Sequence, residues 1–202
     1  MGLVFRGARR PRRRGAGFVI YLASSSPRRR AILKDLGIPF RRVLPAYEET
    51  PLPGRRPSRV VRTHALEKAR SAARRFLSGV VLGADTVVYC GGQIIGKPAD
   101  RKAALRTLLR LQGRWHTVYT GVALLWLERG RVVKKRLHVE TTRVRLRKMN
   151  RAAALAYFRR VHPLDKAGAY AIQSRRAGVV EEIRGSFSNA MGLPVESLRE
   201  FL

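Results

Sequence analysis

An apolar, strand-like run from Phe18 to Leu22 breaks at Ala23-Ser24-Ser25-Ser26-Pro27 and gives way to a helical pattern. Pro27 suits the first helical position, where its missing N–H costs nothing. The helix reads from Pro27 to Leu36 and stops at Gly37, and Phe40–Leu44 follows as a second strand, so the chain opens as β-α-β. The turn is also a seat for an anion. A helix N-terminus offers unpaired N–H groups and the positive end of its dipole, and three serines and Arg28, Arg29 and Arg30 crowd this one. A Ser-capped helix with a solvated basic first turn would carry the same residues, so the rest of the chain has to decide.

Beyond that opening, Tyr47–Pro57 is a proline-rich loop carrying the adjacent acids Glu48 and Glu49. Ser58 is expected to cap a long helix whose apolar face holds Val61, Ala65, Leu66, Ala69, Ala72, Ala73 and Phe76. Val80–Tyr89 reads as a strand interrupted at Gly83-Ala84-Asp85-Thr86, and Gly91-Gly92 turns it into Gln93–Ile95. Asp100–Leu111 returns to helix. Val118–Leu127 and Val132–Val144 form a hairpin about Arg129-Gly130, and Asn150 caps a helix to about Arg160. Val179–Ile183 is a short strand and Pro194–Leu202 a closing helix. This order predicts an α/β fold, a mixed twisted sheet flanked by helices rather than a uniformly parallel one.

With 202 residues, 45% of them apolar, the chain can bury one good core, and residues 18–202 read as a single domain. Residues 1–17 hold six Arg and no acid, without the apolar stretch of a secretory signal, and read as a disordered basic leader. A formal charge of +30 points to an anionic partner: a nucleotide, a nucleic acid or a membrane surface. The basic residues run from Arg6 to Arg199 without gathering on one helix, which disfavours a dedicated nucleic-acid patch. The longest strongly apolar run, Gly121–Leu127, is far short of the roughly 20 residues a spanning helix needs, so no membrane partner is expected. The single cysteine, Cys90, excludes an internal disulfide and fits a reducing cytoplasm.

Asp85 is the residue that most needs explaining, because an acid inside a run that should be buried is costly unless paired or metal-bound. It reads as a general base or a magnesium ligand, with Glu49 or its neighbour Glu48 as the second carboxylate. Gly91–Lys97 mimics a phosphate-binding P-loop, but Pro98 stands where a metal-binding hydroxyl belongs, so the match is a decoy. Lys97 still offers a point charge to a phosphate, or is simply exposed. Lys68 lies within a helix and by itself reads as part of a solvated face. The block Asp165-Lys166-Ala167-Gly168-Ala169-Tyr170 suits a close backbone approach to a ligand, with Gln173 reading a base edge. The histidines lack ligand spacing, and no zinc is expected.

Taken together, Leu22-Ala23-Ser24-x-Ser26-Pro27-Arg28-Arg29, Glu49-Thr50-Pro51, Lys68-Ala69, Gly83-Ala84-Asp85-Thr86, Gly96-Lys97-Pro98, Thr120-Gly121, Asp165–Tyr170 with Gln173, and Ser188-Asn189-x-x-Gly192-Leu193-Pro194 closely resemble the Maf family of nucleoside triphosphate pyrophosphatases. The resemblance runs from about residue 18 to the C-terminus. It implies hydrolysis between the α and β phosphates with a divalent metal (magnesium, manganese or cobalt), and an elongated, two-lobed fold like that of the inosine triphosphate pyrophosphatases, commonly as a homodimer. The Asp165–Gln173 block is similar to the branch acting on dTTP and UTP rather than on 7-methyl-GTP. Carried over, Asp85 becomes the proton acceptor, Arg28, Thr86 and Gln173 set base choice, and Ser24, Arg29, Glu49, Lys68 and Lys97 serve the phosphates and metal, with Glu49 and Asp85 as its ligands. The chain departs from the family pattern at Arg160–Leu164, at Ala171 and at Ser174. A basic nucleic-acid-binding protein without catalysis is the rival reading.

Overall fold

The computed structural model describes residues 19–173 and 178–202; the basic leader, Phe18 and Ser174 lie outside the described residues. Strand β1 (Ile20–Ala23) runs into helix α1 (Pro27–Asp35), which returns the chain to β2 (Phe40–Val43), parallel to β1. The first turn is built as the sequence indicates: Ser26 is the cap, its hydroxyl accepting from the Arg29 N–H, and Pro27 is the first helical residue. Next come α2 (Pro57–Ala73), β3 (Gly79–Cys90), the short β4 (Gln93–Ile95), α3 (Arg101–Leu111), and the long hairpin of β5 (Trp115–Glu128) and β6 (Arg131–Leu146). The chain closes with α4 (Arg151–Phe158), a 3-10 turn at Ala167–Ala169, β7 (Val180–Arg184), α5 (Phe187–Met191) and α6 (Val195–Phe201). The sheet order is β2-β1-β3-β5-β6-β7, parallel at β2-β1-β3 and antiparallel beyond, with β4 folded back against β3. It is the mixed sheet expected.

Three local expectations are corrected. Strand β3 is continuous, and Gly83–Thr86 does not interrupt it. Helix α2 begins at Pro57 with Arg56 before it and no side-chain cap, so Ser58 is already inside the helix. Helix α5 was not expected at all; it is a short turn capped by Ser186 and ended by Gly192, which sits at φ 108°.

Strand alternation sorts the core into two layers. Leu22, Val80, Leu82, Val122, Leu124, Val144 and Leu146 pack with Ile32 and Leu33 of α1, Leu108 of α3 and Leu198 of α6. Ala23, Val81, Ala123, Leu125 and Leu127 meet Ala65, Ala69 and Ala72 of α2. A fully buried leucine contributes roughly 1.5–3 kcal/mol, and the first layer holds most of them. On its helix side the second layer is built from alanines, and α2 lies almost on the sheet backbone. A Cβ on Gly83 would stand 2.2 Å from the Ala65 carbonyl oxygen, and one on Gly121 2.3 Å from that of Val61. Those two glycines set how close α2 comes.

The ladder also has a gap. Strand β1 ends opposite Gly83, β4 joins β3 only from Val88, and β5 occupies the other edge of β3 throughout. Over Ala84–Val87, β3 therefore has a strand on one side only. The gap is where both faces of the sheet open into one cavity.

Candidate active site

A cleft of about 680 Å³ occupies that gap, lined by Ser24–Arg29, Glu49, Lys68, Asp85–Val88, Lys97, Asp165, Tyr170, Gln173 and Gly192 among others. Every site residue expected from the sequence lines it. Consecutive residues of β3 point to opposite faces, so Asp85 reaches toward α2 and Thr86 toward α1. One strand thus delivers an acid to one wall and a hydroxyl to the other.

On the α2 wall, the Lys68 ammonium is buried between two carboxylates, donating to Asp85 Oδ1 at 2.7 Å and lying 2.6 Å from Glu49 Oε1. Lys68 is thus buried, where the helical pattern by itself marks a solvated face. Of the two adjacent acids, Glu49 is the one paired with Lys68. Burial raises the Glu49 pKa, but the charge and hydrogen bond of Lys68, with Lys97 and His64, outweigh it and hold the carboxyl below its ordinary value. Asp85 is almost fully buried, and its Oδ2 has no hydrogen-bond partner. A buried carboxylate oxygen left without a partner is expensive. Lys97 is exposed and adds its charge at the cleft without an ion pair of its own among the described residues.

On the α1 wall, Arg29 is buried with no carboxylate bonded to it. Its Nε donates to the Gly192 carbonyl at 2.7 Å, Nη1 to Ser24 Oγ at 3.1 Å and Nη2 to Thr86 Oγ1 at 2.8 Å. Burial is the main force on its pKa and lowers it to about 10, with Asp85 and Glu49 opposing. Three of the five guanidinium N–H bonds are used, which leaves two for an anion. Ser24 Oγ accepts twice, from Arg29 and from the Ser26 N–H at 3.2 Å, so its own proton is left to donate. Gly192 comes so close that a Cβ there would meet Thr86 Oγ1 at 3.3 Å. A buried cation with no carboxylate bonded to it, beside a free hydroxyl proton and a helix N-terminus, has the chemistry to take an anion.

Farther along, Arg28 Nη2 donates to the Asp165 carbonyl at 3.2 Å, while Arg28 Nε and Gln173 Oε1 are buried without partners. Two residues that line the cleft thus hold an unmet donor and an unmet acceptor. Burial raises the Asp165 pKa, but Lys166 and Arg28 outweigh it and keep the carboxyl low. Beneath Tyr170, His116 is buried with Nε2 2.8 Å from the Tyr170 hydroxyl, and burial lowers its pKa to about 4 against a small opposing pull from Arg114.

That histidine makes the fold acid-sensitive. Between pH 6.5 and 4 the unfolded chain binds a proton that the folded one excludes, so stability is complete above pH 6.5 and falls as pH drops through this window. The expected loss is about 3 kcal/mol. Urea midpoints measured from pH 7 to pH 4 should fall less in His116→Gln than in wild type, and parallel curves would remove His116 as the cause.

The chemistry of two of the cleft's residues fits a divalent metal. Glu49 and Asp85 supply hard carboxylate oxygens, one of them the unpartnered Asp85 Oδ2, but among the described residues no group of three or more His, Cys, Asp and Glu gathers. No described helix is long and apolar enough to cross a membrane. Sequence reasoning missed Thr120, Asn189 and Gly192 as site-building residues, although the Thr120-Gly121 and Ser188–Pro194 stretches stood out as motifs.

Fold and cleft together define an α/β protein with an acid and a buried cation on opposite walls of a sheet gap. The Ham1 protein of Staphylococcus aureus shares the fold, at TM-score 0.52 and 15% identity over 90% of this chain and 96% of its own. The sequence narrows the class further. The model of the Maf-like protein family matches residues 19–202, and the chain belongs to that family. Its relatives include the dTTP/UTP pyrophosphatases of Gloeobacter violaceus, 44% identical over 91% of this chain and 94% of theirs, and of Pelotomaculum thermopropionicum, 42% identical over 91% and 94%.

Proposed function

We propose that this chain is a nucleoside triphosphate pyrophosphatase that hydrolyses dTTP and UTP to the monophosphate and pyrophosphate. The observation that carries the reading is the cleft's polarity: Asp85, whose buried Oδ2 has no partner, lines a cavity whose other wall holds Arg29 with no counter-ion bonded. The triphosphate tail is the counter-ion that Arg29, Ser24 and the α1 N-terminus lack. Asp85 takes the proton of the attacking water, and Lys68 holds Asp85 and Glu49 in register. A divalent metal (magnesium, manganese or cobalt) shared by Glu49, Asp85 and the phosphates would neutralise charge at the α-phosphorus. The imide edge of uracil or thymine, an N–H between carbonyls, answers the unmet Gln173 Oε1 and Arg28 Nε. The likeness to dTTP/UTP pyrophosphatases supports this choice of base. The same reading includes the homodimer and the cytoplasmic setting.

A panel of triphosphates with metal, read for pyrophosphate and orthophosphate separately, tests the assignment. Pyrophosphate released from dTTP and UTP well ahead of dCTP, dATP and 7-methyl-GTP is the expected result. Orthophosphate as the product would overturn the reaction, and preference for 7-methyl-GTP would overturn the choice of base.

A further inference from the structure

Behind Arg29 runs a chain of hydroxyls whose proton directions can be read off. Thr120, fully buried on β5, lies 3.1 Å from Thr86 Oγ1 and donates to the Asn189 carbonyl at 3.0 Å. A hydroxyl has one proton, and a carbonyl can only accept, so the Thr120 proton is committed to Asn189. Thr86 must then donate to Thr120. That commitment leaves Thr86 Oγ1 to present lone pairs to Arg29, whose Nη2 donates to it at 2.8 Å. The sequence Arg29 to Thr86 to Thr120 to Asn189 carbonyl has one self-consistent direction.

The end of this chain is itself held. Asn189 is fully buried, its side-chain amide donates to Thr142 Oγ1 at 2.8 Å, and its backbone N–H is capped by Ser186 Oγ at 3.0 Å. Thr142 in turn donates to the Ser186 carbonyl at 2.8 Å. A rigid anchor on α5 thus orients a hydroxyl on β5, which orients one on β3, which fixes a cation on α1.

We propose that Thr120 is a positioning residue of the phosphate seat: by taking the Thr86 proton it holds Thr86 as an acceptor and so aims the two unused N–H bonds of Arg29 at an anion. It touches no substrate itself. The inference rests on the cleft binding a triphosphate, as proposed above, but it concerns affinity for the phosphates and not the chemical step.

Without the Thr120 hydroxyl, the Thr86 proton is free to turn and Arg29 loses a fixed acceptor. The test is calorimetric binding of inorganic tripolyphosphate, which has no base to read, at constant magnesium, beside steady-state kinetics with dTTP. In Thr120→Val, tripolyphosphate affinity should fall about tenfold, the scale of one hydrogen bond to a charged group, and KM should rise while kcat stays within about twofold. Thr120→Ser should restore both. In a Thr86→Val background, adding Thr120→Val should change affinity no further, because the route runs through Thr86. Should Thr120→Val fail to fold, Thr120→Cys against Thr120→Ser asks the same question, since a thiol is a weak acceptor and a hydroxyl a good one.

Unchanged tripolyphosphate affinity in folded Thr120→Val, or a fall in kcat alone, overturns the positioning role. Wild type that binds tripolyphosphate but releases no pyrophosphate from any nucleotide overturns the proposed reaction and leaves this comparison standing. Wild type that binds no tripolyphosphate but releases pyrophosphate from dTTP overturns the phosphate seat and this positioning role while leaving the proposed reaction standing.

Discussion

Asp85→Asn is expected to cut pyrophosphate release by roughly 10²- to 10⁴-fold, the range a positioned general base supplies, with a folded protein and little change in KM. The amide keeps the shape of the side chain and still offers an oxygen to Lys68, which now donates to Asp85 Oδ1 at 2.7 Å. Lys68 also keeps its pair with Glu49 at 2.6 Å, so the buried ammonium is not stranded. What disappears is the proton-accepting capacity of Oδ2, the oxygen that no protein group uses. Glu49→Gln should cost less, because that carboxylate is half exposed and its Lys68 partner retains Asp85. Turnover measured at saturating dTTP, with circular dichroism as the folding control, decides the point. Near-native turnover in Asp85→Asn would remove Asp85 from the chemistry.

Much of this arrangement was legible in the sequence, and the parts that were not share a cause. The Ser26-Pro27 turn, the β5–β6 hairpin and the Asn150 cap are local features, written in residues whose backbone preferences act within a few positions. Asp85 was legible because a lone acid in an apolar run is an anomaly that demands a partner. Its partner was legible only through the family resemblance: Lys68 stands on a helix whose pattern by itself marks it as solvated, and the packing of α2 on the sheet buries it. That packing depends on Gly83 and Gly121, and Gly83 looked like a break in the strand. A glycine that ends a strand and one that admits a helix read alike until the second element is in place.

The same limit explains the α1 wall. Arg29 was readable as one of three arginines at a helix start, but nothing near it in sequence distinguishes it from Arg28 or Arg30. Its three acceptors come from residues 24, 86 and 192, separated by more than 160 positions. Helix α5, which brings Gly192 there, is only five residues long and carries no periodic signal. The Ser188–Pro194 stretch was noticed as a motif, and its physical purpose emerges only when its backbone carbonyls are seen to hold Arg29 and Thr120.

Arg29→Met should separate the two roles a buried cation can play. Burial lowers the Arg29 pKa to about 10 in the folded chain, so below pH 10, where folded and unfolded states both carry the charge, folding is opposed by about 3 kcal/mol relative to a neutral side chain. Removing the charge relieves that cost. It also strips donors from the Gly192 carbonyl, Ser24 and Thr86, and an unsatisfied buried acceptor costs about 1–3 kcal/mol, less where a hydroxyl can turn away. The two nearly cancel, and replacement of a buried charge by an apolar side chain is often neutral or stabilising. Urea unfolding of Arg29→Met should therefore lie within about 2 kcal/mol of wild type. Affinity for dTTP should nonetheless fall by about 10²-fold or more, since two charge-assisted hydrogen bonds to phosphate are lost. Arg29→Lys should recover little of it, because one ammonium cannot satisfy three acceptors and still reach an anion. A variant that unfolds would mark Arg29 as a structural tie between α1, β3 and α5, and one that binds normally would place the phosphate elsewhere in the cleft; stable protein with lost affinity is the outcome this geometry requires.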